Sequence, residues 1–232
     1  MCGRYAITSP PDAIARLFSL QGPRTNLRPR YNAAPGQDLP IIRRAESGTR
    51  ELTFARWGLI PSWSKGPDSR FSMINARSDT VASKPAYRGP FRHKRCLVPA
   101  DGYFEWQAGP HGKQPFYISH PRGLMAFAGL WDSWVSPQGD EVMSFTVIVT
   151  DAVPVTAEIH PRMPVILSPA RFGPWLDKET PAKELESLIA LPEGGAELRF
   201  WPVSRAVNSP SNDAPDLVEE IELPGETQGS LL

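Results

Sequence analysis

Arg95-Cys-Leu-Val-Pro-Ala-Asp-Gly-Tyr-Phe-Glu-Trp106 is the stretch from which the fold of this 232-residue chain is read. Its two β-prone runs, Arg95 to Val98 and Gly102 to Trp106, read as strands with a break at Pro99-Ala-Asp101 between them. Alternation in the second run puts Tyr103 and Glu105 on one face and Phe104 and Trp106 on the other. Outward from this stretch the same pattern repeats. Leu39 to Arg44 and Glu51 to Trp57 read as strands around a Ser47-Gly48 turn, and Pro115 to Ile118, Leu124 to Trp131 and Val142 to Thr150 continue the series. The breaks at Gly109-Pro110-His111-Gly112 and Pro137-Gln138-Gly139 predict that most connections are hairpins.

Helices flank this strand-rich centre. Ser9-Pro10-Pro11-Asp12 predicts a helix start, Ile14, Leu17 and Phe18 give it an apolar face, and Gly22-Pro23 is expected to stop it. Ser168-Pro169 and Thr180-Pro181 each place a capping residue before a proline, predicting two late helices ahead of a strand from Leu198 to Val203. With 26 prolines and 18 glycines spread throughout and no internal repeat, the expectation is one α+β domain over residues 1–222 with a mostly antiparallel sheet. Residues 223–232 are expected to form a frayed tail.

A hydrophobic content of 41% is enough for a buried core. No apolar run reaches the ~20 residues of a membrane span, and no signal peptide is evident, so a cytoplasmic, non-membrane protein is expected. Two cysteines, Cys2 and Cys96, are too few for a disulfide framework and are expected to stay reduced. There is no metal-ligand spacing, phosphate-cradling loop or dinucleotide fingerprint, which predicts chemistry without a metal or cofactor. Net charge is zero overall, but all 25 Lys and Arg fall at or before Arg205 and six of the 25 acids follow it. Residues 1–205 therefore carry 25 basic against 19 acidic side chains, or +6. That asymmetry permits a nucleic-acid partner without requiring one.

Cys2 is the most informative residue. Methionine before a small side chain is the usual substrate of methionine aminopeptidase, and its removal leaves an amine and a thiol on one carbon framework. The amine titrates near about 7.7–8.0 and the thiol near about 8.5, so both are nucleophilic in part at neutral pH. Such a pair can capture an aldehyde as an imine and then close a five-membered thiazolidine, the second step being intramolecular. Glu105, if buried among aromatics, would have a raised pKa suited to proton exchange; the competing reading is an edge-strand carboxylate facing water. His160, held between Ile159 and Pro161, is a candidate proton carrier. His111 and His120 read as surface residues, and His93 belongs to a basic run.

Asn75 and Arg77 fall on one face of an extended segment and could hold a sugar and a phosphate, or belong to a surface turn. Trp57, Trp63 and Tyr31 lie near arginines and could stack on bases or pack in the core.

Taken together and in order, these motifs resemble the SOS response-associated peptidase family. The resemblance rests on Met1 to Tyr5, Arg30 to Pro35, Trp57 to Trp63, Asn75 to Thr80, Arg95 to Trp106, Phe127 to Trp131, His160 to Pro164 and Pro202 to Val207. It implies a barrel-like antiparallel sheet with flanking helices, and covalent attachment to abasic sites in single-stranded DNA. By motif match Cys2 is the nucleophile, Asn75 holds the deoxyribose, and Glu105 and His160 move protons. Arg4, Arg77 and Arg162 match positions that bind the DNA backbone, and Trp63 one that wedges beside the bases. A monomer is expected. The rival readings are an N-terminal cysteine peptidase and a non-covalent module for single strands or modified bases. Two positions depart from the family pattern: Pro161 stands where an acid is usual and could shift the orientation or pKa of His160, and Asp79 stands where glutamate is usual, a shortening that could weaken support behind Arg77.

Overall fold

The computed structural model describes residues 2–23, 25–67, 73–109, 112–190 and 195–223. Within them the chain forms β1 (Tyr5–Ile7), α1 (Pro11–Phe18), β2 (Arg30–Ala33), β3 (Asp38–Arg44), β4 (Arg50–Trp57) and β5 (Asn75–Arg77). Then come α2 (Pro85–His93), β6 (Arg95–Ala100), β7 (Gly102–Gly109), β8 (Gly112–Ser119), β9 (Met125–Val135) and β10 (Glu141–Asp151). The chain continues with α3 (Pro154–Ala157), β11 (Arg162–Pro164), α4 (Pro169–Leu176), α5 (Ala182–Ala190) and β12 (Arg199–Pro202).

These strands build two sheets. The smaller runs in the order β12-β8-β7-β1-β2; the larger runs β11-β10-β4-β3-β6-β9, with β9 also paired to β10. That last pairing closes β10-β4-β3-β6-β9 on itself, leaving the short β5 and β11 attached to β10 alone among the described residues. All but two pairings are antiparallel; β10 lies parallel to β4 and to β5.

The 95–106 stretch is two strands, as expected, but they do not form a hairpin. β6 pairs with β3 and β9 in the larger sheet, whereas β7 pairs with β1 and β8 in the smaller. The chain crosses between sheets at Asp101, whose carboxylate accepts from the Thr8 and Ser9 backbone N–H groups at 2.6 and 2.8 Å and so ties the end of β1 to the crossing. Gly102 follows because a Cβ there would stand 2.3 Å from the Tyr117 ring. Both faces of β7 are covered. Tyr103 enters the main apolar core and Phe104 a second cluster with Tyr117, Val203 and Val207. Tyr5 and Tyr103 meet Phe127 edge-on at 6.3 and 6.0 Å, joining the sheets through their aromatic rings.

Several local expectations are corrected. α1 ends at Phe18, before Gly22, because Ser19 adopts a left-handed conformation (φ 54°) and its N–H bonds back into the last turn. Ser168 occupies the cap position of α4 but its side chain makes no capping hydrogen bond. Trp57 is core, stacked on Phe145. His120 is buried, accepting from the Arg122 N–H at 3.0 Å and lying 3.3 Å from Glu197. His111 and the tail beyond residue 223 lie outside the described residues.

Candidate active site

Cys2 is fully buried immediately ahead of β1, a position fixed from two sides. Its carbonyl accepts from Asn75 Nδ2 at 2.8 Å, and its thiol points at the Arg4 carbonyl at 4.0 Å. Asn75 is itself held by the parallel pairing of β5 with β10 and by the Tyr87 hydroxyl of α2, which donates to its carbonyl at 3.2 Å. Its Oδ1 is buried with no hydrogen-bond partner among the described residues. Such an acceptor is costly to leave unmade and is available to a ligand hydroxyl.

Glu105 sits on β7, between β1 and β8, with only 3% of its surface exposed. The edge-strand alternative is therefore excluded. Burial raises its pKa above the ordinary carboxylate range, partly offset by the positive charge that His160 can carry and by Lys113. His160 Nδ1 lies 3.9 Å from Glu105 Oε1. The same nitrogen lies 3.0 Å from the Arg162 backbone nitrogen and 3.1 Å from the Arg162 carbonyl, so either neutral tautomer finds a partner on that residue. Pro161 fits this tight return, its carbonyl accepting from the Ala152 N–H at 3.0 Å.

An open cavity of about 600 Å³ is lined by Gly3, Arg4, Glu105, Trp106, Lys113, His160 and Asn208. Cys2 lies one residue behind its wall. The Cys2 thiol is held well above its ordinary pKa, first by burial and then by the nearby Glu105 charge, and so rests as the neutral thiol.

The expected phosphate ligands are placed unequally. Arg4 lines the cavity, yet its guanidinium donates to Asn32 Oδ1 (2.9 Å) and to the Val207 (2.8 Å) and Asn208 (3.3 Å) carbonyls. Arg77 is exposed and forked onto Asp79, so the shorter acid does make the supporting contact. Arg162 pairs with Asp151 at 2.9 Å. Arg77 and Arg162 both act on the Asp79 charge, which places them in one neighbourhood. Trp63 stands 67% exposed. Gly3 falls within the Met1 to Tyr5 motif without having been assigned a role, and Lys113 and Asn208 reach the cavity only through tertiary contacts that no local motif signals.

Among the described residues no group of three or more His, Cys, Asp or Glu could hold a metal ion, and no helix is long and apolar enough to cross a membrane.

A closed sheet beside a smaller one, with a buried residue-2 cysteine against a carboxylate–imidazole cavity, defines one class of protein. The chain belongs to the SOS response associated peptidase (SRAP) family, whose sequence model matches residues 1–210. It is similar to the abasic site processing protein YoqW of Bacillus subtilis, at 39% identity over 224 residues, 94% of this chain and 99% of that one. It is also similar to the abasic site processing protein HMCES of Gallus gallus, at 36% identity over 267 residues, 96% of this chain and 79% of that one. A crystal structure of a Bacteroides thetaiotaomicron protein superposes with a TM-score of 0.83 at 27% identity, covering 95% of this chain and all of that one.

Proposed function

We propose that this protein processes abasic sites, and that it does so by covalent capture of the lesion in single-stranded DNA through Cys2 after removal of Met1. The observation that carries this reading is the Glu105–His160 pair, 3.9 Å apart in a cavity walled by Gly3 and Arg4. That arrangement sets two proton-handling groups beside the residue whose amine removal of Met1 would free.

In this scheme His160 assists opening of the sugar to its aldehyde. Glu105 takes a proton from the Cys2 ammonium, and the amine adds to the aldehyde carbon with loss of one water to give an imine. The thiol sulfur then adds to the imine carbon and its proton passes to the nitrogen, closing the thiazolidine with no redox change. Loss of the imine removes the species that would drive β-elimination, so the strand stays whole. Asn75 Oδ1 takes a sugar hydroxyl, Arg4, Arg77 and Arg162 neutralise phosphates, and Trp63 wedges beside a base. The site residues need no cofactor for these steps.

The family description keeps a second reading in play, an N-terminal cysteine peptidase. Incubating the protein with an abasic or an intact single strand, and separately with peptide, separates the readings. A heat-stable adduct on the abasic strand alone supports capture; peptide turnover without aldehyde reactivity supports the peptidase.

A further inference from the structure

The wall of the cavity beside Cys2 is built partly from the far end of the chain. After β12 comes a short 3-10 turn, Arg205–Asn208, and the chain then passes along β2, the edge strand of the smaller sheet. From Asn208 to Asp216 every residue is exposed, and the side chains that bury themselves, Val207 and Leu217, stand at the two ends of this stretch. Apolar burial therefore pins only the ends of the strap. Its middle is held by polar contacts.

Two side chains make those contacts, one from β2 and one from the strap. Asn32 is fully buried, and its amide donates to the Val207, Ser209 and Asn212 carbonyls at 3.1, 3.0 and 2.9 Å. Asp213 closes the strap from the other side. Its Oδ1 accepts the Tyr31 and Asn32 backbone N–H groups at 2.6 and 3.0 Å, and its Oδ2 meets Arg30 Nε at 2.6 Å. Asn212 ties the loop to itself by donating to the Ala206 carbonyl at 2.8 Å.

The strap so held offers a fixed set of acceptors to Arg4. The Val207 and Asn208 carbonyls accept from its Nη1 and Nη2, and Asn32 Oδ1 takes a second bond from Nη1. A guanidinium carries five N–H donors in a rigid plane. Three are used in this way, which leaves Nε–H and one Nη2–H without a partner among the described residues. The plane is set by the strap, and the donors left over are those an oxyanion at the cavity can take. The Arg4 backbone is fixed from the opposite direction: its carbonyl accepts the Phe104 N–H at 3.0 Å and faces the Cys2 thiol at 4.0 Å.

We infer that Asp213 is a positioning residue for the capture reaction, clamping the strap to β2 so that the Val207 and Asn208 carbonyls hold the Arg4 guanidinium in place beside Cys2 and the Glu105–His160 pair. This rests on the proposed function and adds to it a part played by the C-terminal segment of the chain. The role has a sign that charge alone does not give. Asp213 is an acid close to a site for a polyanion, so removing its charge would by electrostatics tighten strand binding and speed capture. Loss of positioning slows capture in a protein that has become more basic.

The test follows adduct formation on an abasic single strand by the whole protein, with the rate at saturation and the half-saturating concentration read separately for wild type, Asp213→Ala and Asp213→Asn. Asp213→Ala is expected to lower the saturating rate about tenfold, within the ~10²-fold that a misplacement of about 1 Å from a change far from the chemistry can cost. The half-saturating concentration is expected to move by less than the rate does. Asp213→Asn keeps an oxygen for the two backbone N–H groups and loses only the Arg30 partner, so it is expected to recover most of the rate and to fall about threefold short of wild type, the scale of one lost hydrogen bond. Exposed ion pairs add little to stability, so both variants are expected to melt close to wild type. Should Asp213→Ala fail to fold, Asp213→Asn carries the test by the same sign. A variant that captures at saturation as fast as wild type or faster would overturn the inference and leave the capture chemistry standing, as would a loss confined to the half-saturating concentration. A wild type that forms no adduct on the abasic strand would overturn the proposed function and the inference with it.

Discussion

Asn75 donates its side-chain amide to the Cys2 carbonyl at 2.8 Å, so the proposed nucleophile and the strand that positions it are joined directly. The bond engages the Cys2 carbonyl, and the thiol is directed at the Arg4 carbonyl at 4.0 Å. Asn75→Ala removes it along with the buried Oδ1. Because a typical hydrogen bond contributes about 0.5–1.5 kcal/mol, adduct formation on an abasic strand is expected to slow several-fold or more, with a smaller loss in affinity for an intact strand. Gel kinetics at saturating protein, beside a binding isotherm, separate the two effects.

Glu105 gives a pH signature with a definite sign. Its folded pKa lies above the unfolded value, so the stability it contributes is fully present below the unfolded pKa, about 4.3, and is lost as pH rises through the folded one. Glu105→Gln is therefore expected to melt above wild type at pH 8, with the gap closing toward pH 4. Each ~1 kcal/mol corresponds to roughly 2–4 °C in a chain of this size. The same variant is expected to form adduct about 10²–10⁴ times more slowly, the usual span for loss of general acid–base help. Melting curves across pH and single-turnover adduct kinetics check both.

Arg4 is expected to behave differently from Arg77. Its guanidinium donates to the buried Asn32 Oδ1 and to the Val207 carbonyl, which keeps a second bond from Asn32 Nδ2 at 3.1 Å, so Arg4→Ala strands Asn32 Oδ1 and is expected to cost about 1–3 kcal/mol of stability. Arg77→Ala touches an exposed pair and is expected to leave the melting temperature nearly unchanged while lowering the salt slope of strand binding. Denaturation and salt titration of the two variants side by side make the distinction.

Trp63→Ala is expected to leave stability within about 0.5 kcal/mol, since the ring is largely outside the core. It is expected to weaken single-strand binding by about 1–3 kcal/mol, the worth of one stacked base. Equal affinity for wild type and variant would remove Trp63 from the interface.

The long strands were legible because their apolar runs and turn residues are local properties, as at Leu39 to Arg44 and the Ser47-Gly48 turn, where Gly48 adopts a φ of 86°. The three-residue strands at Tyr5, Asn75 and Arg162 are too short to show a period, and α2 is hidden by the proline inside it. The passage from β6 to β7 between sheets is set by long-range pairing that no alternation encodes. Glu105, Asn75 and His160 were recognisable as residues, but the burial of Glu105 depends on β1 and β8 flanking its strand. Arg4 shows the opposite limit: two of its three partners, the Val207 and Asn208 carbonyls, lie 203 and 204 positions away, beyond the reach of any local pattern.

The account depends most on Cys2 acting through a free amine and its own sulfur. Intact mass of the purified protein, alone and after incubation with an abasic oligonucleotide, tests this directly. The expected result is a mass lacking Met1, rising by that of the strand less one water and stable to heating, with Cys2→Ala giving at most a borohydride-trappable imine and a nicked strand. A protein that keeps Met1 or carries an acetylated terminus in its reactive form, or a Cys2→Ala variant with undiminished heat-stable adduct, would contradict it.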